Sequence, residues 1–370
     1  MAKKVAIIGT RGIPNEYGGF EQFVHYFAPY LAEKNVDVTV YSSHCHGYKK
    51  KEWKGVKLKH VWNPEKLFGP FGQFIYDFLS IMHCRGEKHD VILQLGYTSS
   101  SIWAFLLPKE SKIVTNMDGL EWKRAKYGKN VQRFLKMAEK WAINSSDVLV
   151  ADSKGIQKYL KDTFNKESVF IPYASNVYVK ESSSTLDQFD LVPLEYNLVI
   201  ARFEPENNIE MIIRGHLNAT RKLCLIGNAN NAFGLQLQKM HQNSVMFLGP
   251  IYDQKVLNEL RFNSNMYFHG HSVGGTNPSL LEAMACSCLV VAHKNDFNCA
   301  VLGEDALYFK TAQDIELLLK KKVDKIGYTQ FIASNLNKIR LNYSFYRIHQ
   351  EYLDILIGLP NADKEDIHKE

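Results

Sequence analysis

Nowhere in the chain do apolar residues run for the roughly 18 positions that a membrane-spanning helix requires. The most apolar stretches, residues 71–82 and 101–107, are short or interrupted by Gln73 and Asp77, so no spanning segment is expected. Cysteine is scarce and unpatterned. Cys45, Cys84, Cys224, Cys286, Cys288 and Cys299 show neither Cys-x-x-Cys spacing nor a regular separation, which leaves free buried thiols as the reading. His44-Cys45-His46 has metal-binding residue types, but partner ligands are missing in sequence, and neighbours in an extended segment point to opposite faces. No acidic cluster has convincing metal spacing either, so no metal site is expected.

What is present is the composition of an ordinary globular protein. The chain has 370 residues, 45% hydrophobic and 23% charged, enough for two cores and hence two domains. The net charge of +6 is unevenly placed, with Lys49, Lys50, Lys51, Lys54, Lys57 and Lys59 in one segment. Such a strip is a solvated face or an attraction for anionic lipid head groups or phosphorylated ligands; no motif supports nucleic acid as a partner. Met1-Ala2-Lys3-Lys4 leads into Val5-Ala6-Ile7-Ile8, a buried strand rather than the core of a signal peptide, so a cytoplasmic location is expected.

Short apolar runs alternate with helical-period segments in both halves, the pattern of parallel sheets with crossover helices. The expected fold class is therefore α/β, two doubly wound domains facing a cleft. Strands are expected over 5–8, 36–41, 56–61, 91–94, 113–116, 148–151 and 169–171, then over 198–201, 222–226, 245–248, 266–268 and 289–292. Between the first two strands Phe20, Phe23, Val24, Phe27 and Leu31 recur at helical steps, one stripe for the sheet. The first domain spans 1–175, a polar linker 176–195 and the second domain 196–342. A helix over 343–358, apolar at Phe345, Ile348, Tyr352, Ile355 and Leu356, can cross back to the first domain. A loose tail over 359–370 follows.

In this architecture ligands bind at the carboxyl ends of strands, where loops and helix N-termini converge. The first such loop runs Gly9-Thr10-Arg11-Gly12-Ile13-Pro14 to Tyr17-Gly18-Gly19-Phe20-Glu21. It lacks Gly-x-Gly-x-x-Gly, and the second strand ends in Tyr41-Ser42-Ser43 without an acid, so a dinucleotide site is not expected. Gly18 and Gly19 at a helix start suit a phosphate or sugar pressed against backbone N–H groups, or else a tight turn that serves only the fold. In the second half, His271, Gly274, Gly275, Thr276 and Asn277 precede Pro278. Asn followed by Pro is a strong helix start. Glu282, one turn on, can accept hydrogen bonds from ribose hydroxyls or be a solvated acid near a positive helix end.

The run from Gly275 through Glu282 to Ala285 resembles the nucleotide-sugar signature of the family 4 glycosyltransferases, which have the GT-B fold of two Rossmann-like domains. Arg202 to Asn208 resembles that family's diphosphate segment, Leu225-Ile226-Gly227 its next strand end, and Phe247-Leu248-Gly249-Pro250 the loop beside the base. The opening loop, together with Asn116-Met117-Asp118-Gly119-Leu120-Glu121-Trp122-Lys123-Arg124, resembles a narrower subgroup, rhamnosyltransferases using dTDP-L-rhamnose in bacterial surface-polysaccharide synthesis. Three features depart from the wider family. The first of its paired glutamates is Gly274, with Glu282 the second; its Arg and Lys pair becomes Arg202 and Asn207; and Asp118 sits where a histidine is common.

The resemblance implies a metal-independent, retaining hexosyltransferase that moves a deoxysugar, L-rhamnose, from a nucleotide diphosphate to a saccharide or lipid-linked saccharide. Arg202, the helix start at Thr276 and Asn277, and the Gly18-Gly19 backbone would meet the charge of the departing diphosphate. Asp118 would orient the acceptor hydroxyl or steady the sugar cation; Tyr17, Glu121, Arg124, Gly249 and His271 fall within the matching substrate segments. Rival readings are a sugar-nucleotide epimerase or hydrolase of the same fold and a catalytically silent glycan- or nucleotide-binding protein. The lysine strip and the loop from Phe68 to Phe71 suggest peripheral contact with an anionic membrane on the inner face. Phe71, Phe74, Ile75 and Phe78 themselves read as the buried face of a crossover helix.

Overall fold

The alternation of apolar runs and amphipathic segments folds, in a computed structural model that describes residues 2–16, 18–123, 127–180, 185–273 and 275–358, into two α/β units. Tyr17, Arg124, Gly274 and the tail after 358 lie outside the described residues.

Unit 1 contains β1 (Lys4–Ile8), α1 (Gly19–Glu33), β2 (Asp37–Ser43), β3 (Glu52–Trp53), β4 (Val56–Val61), α2 (Glu65–Phe68), α3 (Gly72–Glu87), β5 (Val91–Leu95), β6 (Lys112–Asn116), α4 (Lys129–Ser145), β7 (Val148–Ala151), α5 (Lys154–Phe164) and β8 (Val169–Phe170). Its sheet runs β3-β4-β2-β1-β5-β6-β7-β8, parallel except for β3. The sequence reading omits β3, a polar pair folded back on β4 through Lys54 and Gly55, both with positive φ. Buried Val, Ile and Leu fill the central strands, as a sheet covered on both faces requires.

Unit 2 contains β9 (Tyr196–Ile200), α6 (Ile209–His216), β10 (Lys222–Ile226), α7 (Ala232–His241), β11 (Met246–Gly249), α8 (Gln254–Asn263), β12 (Tyr267–His269), α9 (Pro278–Ala285), β13 (Val290–His293), α10 (Asp296–Leu302), β14 (Leu307–Phe309), α11 (Ala312–Lys320) and α12 (Thr329–Asn342). Its parallel sheet runs β11-β10-β9-β12-β13-β14. The edge strand β14 is too short to stand out in sequence. The described part of the stretch read as a linker lies on unit 2: Tyr173, Val177, Tyr178, Leu186 and Phe189 pack against its core, and the Tyr178 N–H donates to the Ala285 carbonyl at 2.9 Å.

The last helix, α13 (Phe345–Ile357), belongs to unit 1, where it packs on α1. Tyr352 meets Phe23 at 4.8 Å between ring centroids. The Lys112 and Lys3 amines donate to the carbonyls of Ile355 and Ile357 at 2.7 and 3.3 Å, placing positive charge on the negative end of the helix.

In α3 the expected inward face is reversed. Tyr76, Asp77, Ser80, Ile81 and Cys84 are buried, whereas Phe71 is exposed and Phe74, Ile75 and Phe78 are half-buried. Polar anchoring decides the rotation. The Tyr76 hydroxyl donates to the carbonyls of Thr10 and Tyr41, both at 2.9 Å, and Asp77 accepts from the Ser99 hydroxyl at 2.5 Å. Turning these groups outward would leave buried carbonyls unpaired, at a cost of about 1–3 kcal/mol each.

Candidate active site

Unit 2 ties its strand-end loops together with side-chain amides. After β9 the chain makes one 3-10 turn, Pro205–Asn207. The Asn207 amide donates to the Arg202 carbonyl at 2.7 Å and the Asn208 amide to the Gly270 carbonyl at 2.8 Å. Gly270 is required by this approach, since a Cβ there would stand 2.1 Å from the Asn207 carbonyl oxygen. The Ser272 hydroxyl and N–H both donate to the Glu206 carbonyl, at 2.8 and 3.0 Å. Asn295 and Asn298 hold the His271 carbonyl at 3.0 and 3.1 Å, and Asn231 holds that of Phe203 at 2.7 Å. The loops after β9, β10, β12 and β13 form one stitched rim.

Arg202 projects from that rim. Its side chain is 66% exposed, and Glu204 at 3.9 Å is too loose a partner to fix it. Asn207, expected beside it on a diphosphate, is buried and spends its amide on the Arg202 backbone; it braces the loop that presents the cation. Gly249 ends β11 with φ +74, its carbonyl accepting from the Gly227 N–H at 3.0 Å. The α9 start has the expected form: Asn277 Oδ1 accepts from the Ser279 N–H at 3.0 Å, with Pro278 in the first turn. Thr276 is buried and Gly275 half-buried just before it.

Glu282 sits one turn into α9 and is bound to the guanidinium of Arg261, a residue only 1% exposed. Burial alone would push Arg261 down, but the Glu282 carboxylate outweighs it and holds the guanidinium above its ordinary range. Glu282, read in sequence as a ribose-binding or solvated acid, instead spends one carboxylate oxygen on a buried cation. Sequence reasoning missed Arg261, although a charge beside Leu257 and Leu260 on the apolar stripe of α8 was the available signal. His271 stacks on His269 with centroids 4.3 Å apart. His269 is buried, which with His271 beside it pushes its pKa well below the usual value; neither of its ring nitrogens has a partner among the described residues.

Unit 1 builds its strand-end edge with carboxyl groups. Glu21, buried in the first turn of α1, accepts from the Arg11 N–H at 2.7 Å and the Thr10 hydroxyl at 3.3 Å. Arg11 makes a forked pair with Glu65, at 2.6 and 3.2 Å. Gly18 is the helix cap, extended at φ −152. Among the described residues a Cβ at Gly19 would meet nothing within 4 Å, so their packing does not demand glycine there. Asp118 follows β6 with φ +49, its N–H donating to Asn116 Oδ1 at 2.8 Å. The Asn116 amide donates to the Tyr352 hydroxyl at 2.8 Å, so α13 helps set the end of β6. Glu121 is buried on a single 3-10 turn, Glu121–Lys123. Asp152, which sequence reasoning missed, is buried at the end of β7. Burial first, then the Asp118 charge, pushes its carboxyl up to about 8. His44 and His46 serve loops, accepting from the Asn63 N–H at 2.8 Å and meeting the Pro14 carbonyl at 2.9 Å. No cluster that could hold a metal occurs among the described residues.

Residues 193–326 match the family described as "Glycosyl transferases group 1", and residues 2–176 match "Domain of unknown function (DUF1972)". No curated protein matches the chain. In structure the chain is similar to sucrose-phosphate synthase from Thermosynechococcus elongatus, at 15% identity and a TM-score of 0.81, covering 96% of this chain and 99% of that one. It is similar to Anabaena Alr3699/HepE in complex with UDP-glucose, at 16% identity and a TM-score of 0.74, covering 97% and 100%. A third similar structure is trehalose-6-phosphate synthase from E. coli bound with UDP-2-fluoro glucose, at 11% identity and a TM-score of 0.72, covering 97% and 100%. These likenesses establish the fold, two Rossmann-like domains of the GT-B type.

Proposed function

We propose that this chain, an enzyme of the hexosyltransferase class by its glycosyl transferases group 1 domain, transfers L-rhamnose from dTDP-L-rhamnose to a saccharide or lipid-linked saccharide, with retention and without a metal ion. The observation that supports this best is the exposed Arg202 on an amide-braced loop beside the capped start of α9, all within the matched residues 193–326. Negative charge grows on the β-phosphate as the sugar departs. The Arg202 guanidinium, presented by the braced loop, and the positive end of the α9 dipole stabilise it. Glu282 receives the ribose hydroxyls on its second oxygen. Asp118 orients the acceptor hydroxyl, and the leaving phosphate accepts its proton. Replacement of the family's first glutamate by Gly274 and of its lysine by Asn207 removes contacts suited to a D-glucose donor and favours a 6-deoxy sugar.

A UDP-hexose donor is the second reading, favoured by the similarity to HepE, which is solved with UDP-glucose. Turnover with dTDP-L-rhamnose and UDP-glucose, each with and without a panel of saccharide acceptors and in the presence of chelator, decides among the readings. The proposal expects rhamnosyl transfer that needs an acceptor and survives chelation. Hydrolysis or epimerisation of donor alone at the same rate, or transfer only from UDP-glucose, would contradict it.

A further inference from the structure

The outward side of α3 and α4 in unit 1, with α2 before it, carries exposed large apolar residues. Leu67, Phe68 and Phe71 are 74, 57 and 63% exposed. From there the rings continue as a row: Phe71 lies 5.6 Å from Phe74 between centroids, Phe74 lies 5.7 Å from Phe134 of α4, and Phe134 lies 6.2 Å from the exposed Trp141. Phe105, 75% exposed, stands on the 3-10 segment Ser101–Leu106, which packs against α4. Single exposed apolar residues need no explanation, but a connected row of large ones marks a surface that meets something.

The same helix sets a cationic ridge beside the row. Lys129, Arg133 and Lys140 are exposed and fall on one side of α4 at helical spacing. Its one acid, Glu139, is turned inward, where it accepts from the Tyr159 hydroxyl at 2.8 Å. Lys136 is held over the Trp122 ring at 4.2 Å and is left out of the ridge. We propose that this face of α3 and α4 docks on an anionic lipid bilayer, its rings entering the acyl boundary and its cations meeting the headgroup phosphates. Charge complementarity selects this occupant, because a second copy would bring its own cations against these. The proposal leaves the lysine strip at 49–59 out of the docking face. Lys49 donates to the His44 carbonyl at 2.6 Å, Lys57 pairs with Asp37 at 2.7 Å, and β3 and β4 form the sheet edge remote from β6 and β7. The proposal names the surface behind a lipid-linked acceptor and rests on that reading for its purpose; its test measures lipid binding without transfer.

The full chain is floated with phosphatidylcholine vesicles, with and without phosphatidylglycerol, at low and high salt. Co-flotation should need the anionic lipid and weaken with salt. Arg133→Gln with Lys140→Gln should lower partitioning by about fivefold for each cation removed. Phe71→Ser with Phe105→Ser should lower it further, and Lys49→Gln with Lys50→Gln should leave it unchanged. Circular dichroism establishes that each variant is folded, and transfer to a soluble saccharide, unaltered in all of them, separates this proposal from the transferase reading. It is overturned by absence of co-flotation, by equal binding to neutral vesicles, or by binding lost only in the Lys49 and Lys50 variant. A self-association abolished by Phe71→Ser, without vesicle binding, would make the face an interface between copies instead.

Discussion

The two strand-end edges are built from different chemistry. Unit 2 stitches its rim with neutral amides from Asn207, Asn208, Asn231, Asn295 and Asn298, and neutralises its one deeply buried cation internally, as Arg261 with Glu282. Unit 1 uses carboxyl groups: Glu21 and Asp77 are buried, and so is Asp152, which feels the Asp118 charge. The exposed Arg202 guanidinium on the rim of unit 2 suits a diphosphate, whereas the edge of unit 1 presents no such exposed cation among the groups described above and suits hydroxyls. The proposed function accordingly gives the anionic donor to unit 2 and the acceptor to unit 1.

The largest effect should come from dismantling the buried pair. Glu282→Ala leaves Arg261 uncompensated and is expected to cost about 3–5 kcal/mol of unit 2 stability; denaturant unfolding measures it, and Glu282→Gln, which keeps a hydrogen bond, should cost less. A Glu282→Ala protein as stable as the parent would dissolve the contrast between the units. Arg202→Ala comes next. The residue is exposed and unpinned, so folding should be untouched while turnover falls by about 3 kcal/mol of barrier, with smaller loss of donor affinity. Arg202→Lys should recover only part, lacking the planar fork.

Smaller again is the pH signature of unit 1. Asp152 is pushed up to about 8 and Asp77 to about 7, burial being the first cause for both. Between about pH 4 and those values the folded state holds more protons than the unfolded chain. Their contribution to stability therefore falls as pH rises through this window and levels off above it. Asp152→Asn should flatten the profile of unit 1, read by near-ultraviolet dichroism of its tryptophans across pH 5–8. An unchanged slope would mean that the acid edge is not buried as described. His349, pushed down to about 4 by burial in α13, works in the opposite sense: its contribution is full above about pH 6.5 and is lost as pH falls towards 4.

The strands were legible because central parallel strands are continuous apolar runs, and the α9 start because Asn277-Pro278 is a local signal independent of context. The rotation of α3 was not. Three phenylalanines and Ile75 at helical spacing outweigh Tyr76 and Asp77 on any hydrophobicity argument, and only tertiary partners, the carbonyls of Thr10 and Tyr41 and the hydroxyl of Ser99, reverse the preference. Asn207 shows the same limit at the site. Its position in the matching segment suggests a ligand contact, yet a short amide on a tight turn finds a backbone carbonyl first. Asp152 became visible only once topology placed it beside Asp118, whereas Arg261, beneath α9, had left a sequence signal in the charge on the apolar stripe of α8.

Titration calorimetry of dTDP into the parent protein, Asp118→Asn and Glu282→Gln tests the division of labour most directly. The account predicts that Asp118→Asn binds dTDP as the parent does, while Glu282→Gln, folded, binds it about tenfold or more weakly through loss of a charged acceptor for a ribose hydroxyl. Weakened binding in Asp118→Asn with full binding in Glu282→Gln would contradict it, placing the nucleotide on the carboxyl edge of unit 1.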